Sequence, residues 1–203
     1  MKWTEQADQE TLDKTVKALT EHGVKVVIAE SAADAKKMAV DIIPQKAEVM
    51  TMTSETLREI SLDQEINESG NYDAVKPKLY NLNRETDGKV MQQIGAAPDW
   101  SIGSVHAVTE DGKVVVASNT GSQLPGYAYG SPHVLWIVGT QKIVKNLDEA
   151  MNRIYEHVLP LESERAKKAY GVPGSNVSKI FILNNEVAPD RITMILVKEN
   201  LGY

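Results

Sequence analysis

The 203-residue sequence contains no cysteine. Disulfides, thiolate-held iron–sulfur clusters and a cysteine nucleophile are therefore excluded, and any redox centre this chain serves must sit on another molecule. Positive charge is in deficit, with 22 lysines and arginines against 28 aspartates and glutamates and a formal net charge of -6. That balance argues against non-specific attraction to a polyphosphate backbone, so nucleic acid is not an expected partner. No run approaches the roughly 20 apolar residues of a membrane span, and the opening MKWTEQADQETLDK lacks the apolar centre of a signal peptide. No membrane partner is expected and the expected location is cytoplasmic, which leaves the sequon at Asn176 to chance. The four histidines are scattered, without His-x-His or His-x-x-x-His spacing, so neither a metal nor another cofactor is expected. Walker and dinucleotide fingerprints are absent because their glycines are absent.

What remains is ordinary globular material, 42% hydrophobic and 25% charged, of a length that suits one domain over residues 1–203. Seven β-branched runs stand out, at 24–29, 47–52, 103–109, 113–117, 133–139, 179–183 and 191–197. Most are apolar throughout, as in strands of a parallel or mixed sheet buried on both faces. Helices are expected over 4–21, ended by Gly23, over 31–43, ended by Pro44, and over 54–61. In a later helix Asn146 can cap, Glu149 completes a capping box, and Leu147, Met151, Ile154 and Val158 form an apolar stripe. Pro160 interrupts that helix, and a second one runs to Tyr170 before Gly171. The order is that of an α/β fold. Residues 62–90 are polar and rich in glycine and asparagine, and read as a long connection or a lid.

Two loops could carry chemistry. In MTMTSETL (50–57), Thr51, Thr53 and Ser54 stand where a strand enters a helix, and hydroxyls with free N–H groups at a helix start suit a phosphate or carboxylate. An ordinary Ser/Thr cap reads the same residues equally well. In VTEDGKVVVASNTGSQLPG (108–126), Asn119, Thr120, Gly121, Ser122 and Gln123 follow a strand, where open α/β folds bind ligands. Glu110 could act there as nucleophile or base if desolvated, although Asp111-Gly112 is a strong hairpin signal. Parallel strands send their outgoing loops to one sheet end, so these residues are expected to line one pocket facing Thr51, Thr53 and Ser54. Lys142 could hold an anion or form a Schiff base, against the simpler reading of a surface lysine, while His106 and His133 read as hydrogen-bonded strand residues.

The stretch from Ser104 to Gly171, with the tail KIFILNNEVAPDRITMILVKENLGY, resembles the LUD (lactate utilization) domain family over about residues 7–203. Its most specific pieces are VGTQKIV (138–144), PLE (160–162) and ENLGY (199–203); SETLREISL matches more loosely. The resemblance implies a NagB/RpiA/CoA-transferase-like fold, a mostly parallel sheet with helices on both faces. In CoA transferases of that fold the acyl-accepting glutamate lies near a Glu-x-Gly turn, which makes Glu110 the implied catalytic residue; the glycine-rich oxyanion segment is missing here. The implied function is binding of a small anionic metabolite, a hydroxy or oxo acid, a sugar phosphate or an acyl-CoA. The alternative is a non-catalytic subunit or assembly factor of an iron–sulfur lactate-oxidising complex, with an iron–sulfur protein as partner. Homo-oligomerisation stays open.

Overall fold

Strands that are apolar on both sides must be covered on both sides, and six of them pair in parallel as the centre of the molecule. The computed structural model describes residues 2–203. The sheet consists of β1 (Lys25–Ala29), β2 (Glu48–Thr51), β3 (Asp73–Ala74), β4 (Trp100–Gly103), β7 (His133–Gly139) and β10 (Ile192–Val197), in the order β1-β10-β7-β4-β2-β3. Alternate residues of its strands serve two cores. Leu135, Ile137, Ile195 and Val197 pack with Ala35 and Ala39 of α2 (Ala32–Ile42), Leu57 of α3 (Glu55–Glu59), and Leu62 and Ile66 of α4 (Leu62–Glu68). On the other face Val134, Trp136, Val138, Met194 and Leu196 meet Leu12 and Leu19 of α1 (Gln9–Glu21).

That second face is also covered by a smaller sheet, ordered β8-β5-β6-β9, which combines β5 (Ala107–Thr109), β6 (Val114–Ser118), β8 (Ile143–Val144) and β9 (Lys179–Leu183). β5 pairs parallel with β8, whereas β6 is antiparallel to both β5 and β9. The far side of this sheet, Ala107, Val115, Ala117 and Val144, packs against Ala150 of α7 (Leu147–Arg153) and Ile154 just beyond it. The protein is thus a mixed α/β fold with helices on both faces of a six-stranded parallel sheet. The expected strand at 103–109 is two strands. The chain leaves the main sheet at Gly103 and enters the small one at Ala107, just as it passes from β7 to β8 through residues 140–142.

Residues 62–90 are more structured than their polarity suggests. They form α4, β3, α5 (Val75–Tyr80) and the start of α6 (Gly88–Ala96), and they bury Leu62, Ile66, Tyr72 and Val75. Spacing of four puts Leu62 and Ile66 on one helical face, which is sufficient to dock a short helix whose other residues are polar.

The first helix starts at Gln9 rather than Thr4 because the Asp8 carboxylate accepts the Thr11 N–H and caps it. Pro160 does not break the late helix. A π turn over Ile154–Val158 precedes it, and the proline falls in the first turn of α8 (Leu159–Tyr170), where a missing N–H costs little. That helix ends at Gly171, in the left-handed conformation at φ +66°.

Candidate functional site

Where the β4–β5 and β7–β8 links run out of the main sheet at its C-terminal edge, they bring a set of polar side chains into the interior. The second link, Thr140–Lys142, is one buried 3-10 turn. Lys142 is 1% exposed. Its Nζ donates to Thr56 Oγ1 at 3.0 Å and to Ser104 Oγ at 3.1 Å, and the Thr56 hydroxyl donates onward to the Leu201 carbonyl at 3.2 Å. Gln141 Nε2 donates to the carbonyls of Leu201 (2.9 Å) and Gly202 (3.2 Å). The Gly202 N–H donates to Glu59 at 2.7 Å, and the Tyr203 hydroxyl donates to Glu162 at 2.8 Å. Gly202 lies at φ +57°, and a Cβ there would sit 2.5 Å from Thr56 Oγ1, so a glycine is what lets the tail lie against α3. VGTQKIV, PLE, ENLGY and the start of SETL, far apart in sequence, therefore meet at one place.

The electrostatics are one-sided. No carboxylate forms an ion pair with Lys142 among the described residues. Burial pushes its pKa well below the usual lysine range, the Arg153 charge pushes the same way, and Glu59 opposes them weakly. His106 Nδ1 accepts the Ala117 N–H at 3.0 Å, which places the ring proton on Nε2; burial first, then the charges of Lys142 and Arg153, hold its pKa down at about 3. Burial lowers Arg153 to about 10. Burial acts to raise Glu162, but hydrogen bonds from Arg165 and Tyr203 outweigh it and leave the carboxyl below its usual value. A shallow surface cleft of about 350 Å³, lined by Glu55, Arg58, Arg165, Lys168 and Ala169, adjoins this network through Arg165. A buried amine held only by neutral oxygens can take up a proton, meet an anion or attack a carbonyl.

The residues singled out from sequence fall in several places. Lys142, expected at the surface, is buried, because α3, the β4–β5 link and the tail close over it. Ser54 caps α3 through the Leu57 N–H, Thr51 is buried and bonded to Asn67, and Thr53 is exposed. Glu110 accepts Lys14 Nζ at 2.7 Å, and its N–H bonds Val144 O beyond the end of β5. The 119–123 loop is bonded mostly to itself and its flanks: Thr120 to Ser122, the Gly121 N–H to Ser118, Gln123 to Ser118 and Ala117, and Asn119 to Ser178. No hydrogen bond or ion pair among the described residues joins Glu110 or residues 119–123 to Thr51, Thr53 or Ser54. Thr56, Ser104, Gln141, Arg153, Glu162 and Tyr203 were not singled out. Thr56, Gln141, Glu162 and Tyr203 lie in the short pieces singled out within the family resemblance; Arg153 and Ser104, elsewhere in the Ser104–Gly171 stretch, carried no signal of their own.

Residues 12–197 match the profile of the LUD domain. The chain belongs to the LUD domain family. Membership supports a role related to lactate utilization. Among solved structures, this LUD domain is similar to a DUF162 family protein from Deinococcus radiodurans, with a TM-score of 0.57 and 11% sequence identity over 95% of this chain and 99% of that one. At that identity the likeness concerns the fold. No curated protein matches the sequence. No helix among the described residues is long and apolar enough to cross a membrane, and no group of three or more acidic, histidine or cysteine residues among them is placed to hold a metal.

Proposed function

We propose that this LUD domain binds a small anionic metabolite, a hydroxy or oxo acid, a sugar phosphate or an acyl-CoA, at the C-terminal edge of its parallel sheet, with Lys142 meeting the negative charge. The observation that carries this reading is a fully buried amine held by two neutral hydroxyls at the sheet end where α/β folds take their ligands. Burial favours the uncharged amine, so an arriving anion supplies the counter-charge that lets the amine take up a proton from solvent and hold it as ammonium. Glu110, tied to Lys14 beyond the small sheet, plays no part in this reading.

Thermal denaturation of the full chain with each ligand class tests it, because a ligand bound only by the native state raises the midpoint. Lys142→Met is expected to fold with a midpoint equal to or above that of the parent, since it removes a buried polar amine and leaves Thr56 and Ser104 hydroxyls 3.3 Å apart and able to bond each other. It is expected to lose whatever response to these ligand classes exceeds the response to acetate. A response beyond that to acetate that survives in Lys142→Met defeats the proposal.

A second reading, as a subunit of an iron–sulfur lactate-oxidising complex, draws on β9, an outer strand of the small sheet that presents exposed Ile180 and Ile182. Absence of any ligand response, together with co-purification of an iron–sulfur protein that Ile182→Lys abolishes, would favour it.

A further inference from the structure

Arg153 closes α7 with its side chain 0% exposed, beneath the small sheet. Its Nη1 donates to the His106 carbonyl, and among the described residues Nε and Nη2 have no partner. Those two nitrogens form one edge of the guanidinium. Elsewhere in this molecule Arg165 turns the same edge on Glu162, with Nε to Oε2 and Nη2 to Oε1 both at 2.7 Å, the side-on grip that suits a carboxylate. A third buried donor without a partner lies in the same neighbourhood, the indole Nε1 of Trp3. Trp3 packs on the cluster containing Ala150 and Ile154, which flank Arg153, and its ring lies 6.2 Å from that of His157 in the π turn that begins directly after Arg153.

Lys142, His106 and His157 all sit close enough to the Arg153 charge to be disfavoured as cations, Glu59 and Glu162 act in the opposite sense on Lys142 and His106, and no carboxylate forms an ion pair with Arg153 among the described residues. A buried guanidinium with two idle N–H groups and no counter-charge is a costly arrangement unless an anion completes it. We propose that Arg153 and Trp3 form a binding site for a small free carboxylic acid, held side-on by Arg153 Nε and Nη2 and met by the Trp3 indole N–H. The chemistry selects a carboxylate over phosphate. Two in-plane oxygens and a single charge match one guanidinium edge, whereas Ala107, Val115, Val144, Ala150 and Ile154 offer nothing to the further oxygens of a phosphate. Trp3, half-buried, forms the outer wall. The site lies between α7 and the segment before α1, and it does not depend on the Lys142 proposal.

The test is calorimetric and thermal titration of the full chain, dialysed free of organic acids, with acetate and propionate as probes and with phosphate and sulfate as comparators. Acetate or propionate is expected to raise the midpoint of the parent and of Lys142→Met alike. Arg153→Met is expected to weaken acetate binding at least tenfold. Trp3→Phe, which keeps an aromatic ring and removes only the N–H donor, is expected to weaken it roughly fivefold, the worth of one hydrogen bond. The proposal is overturned if neither acid binds the parent, if sulfate or phosphate binds more tightly than acetate, or if Arg153→Met binds as the parent does. Loss of binding in Lys142→Met would also overturn it, by moving the acid to the sheet edge. Should Arg153→Met fail to fold, an unchanged acetate affinity in Trp3→Phe overturns it instead.

Discussion

His106 is a neutral ring kept among positive charges, and that leaves a signature in pH. Its pKa falls from the ordinary 6.5 to about 3 on folding. Above about pH 6.5 the folded and unfolded chains are both unprotonated at this position and nothing is lost. Between there and about pH 3 the unfolded chain takes a proton that the folded ring refuses, so stability drains away as pH falls through that window. His106→Gln cannot titrate, and its side-chain oxygen can still accept the Ala117 N–H. Urea midpoints measured from pH 7 to pH 4 are expected to fall less steeply for this variant than for the parent; equal slopes would show that the ring titrates normally. At this scale the sequence was partly readable. The residue type at Lys142 announced an anion or Schiff-base candidate, but its burial did not follow from Gly-Thr-Gln before it, because the cover comes from Thr56, Ser104 and Leu201, remote in the chain. Arg153 lies outside the apolar stripe of Leu147, Met151, Ile154 and Val158 that the sequence shows. A second sheet packed against α7, invisible in the local pattern, is what turns it inward.

Elements whose starts are fixed locally were legible. Ser31, Ser54 and Asn146 each accept an N–H three residues on, a contact written within four residues of sequence. The late helix was not, since Pro160 signals a break only if the preceding turns keep ordinary α pairing, and the π turn changes that pairing. The β5–β6 hairpin lies between these cases. Its Asp-Gly turn was evident, but its docking was not: Gly112 sits at φ +82°, a Cβ there would lie 2.7 Å from the Ala18 carbonyl carbon, and the Gly112 carbonyl meets His22 Nδ1 at 3.1 Å. The hairpin tip is thereby pressed on α1. Gly112→Ala is expected to cost about 1–3 kcal/mol in chemical denaturation, through both the left-handed backbone and the clash. A loss below about 0.5 kcal/mol would mean that the tip moves off α1 without penalty.

For the molecule as a whole, continuous apolar runs were enough to announce a parallel sheet covered on both sides, because a strand with one wet face would alternate. They could not announce two sheets. Val105, Ala107 and Val108 are buried whichever sheet they belong to, so the crossing at 104–106 leaves no mark in hydropathy. Strand order was equally hidden, and it has a consequence for how the chain comes together. β1 lies at the edge of the main sheet with β10 as its neighbour, Lys25 opposite Thr193, and β10 in turn is what joins β1 to β7. Pairings of that sequence separation make refolding slow, on the order of milliseconds to seconds or longer, and after a jump from urea the fluorescence change of Trp136, which lies opposite Met194, is expected in the slowest major phase. Full recovery of that signal within microseconds would contradict it. During synthesis, β1 and β7 must wait with bare edges until residues 192–197 have left the ribosome, and over that interval the half-made protein depends on chaperones, or on speed, to stay out of other chains' sheets.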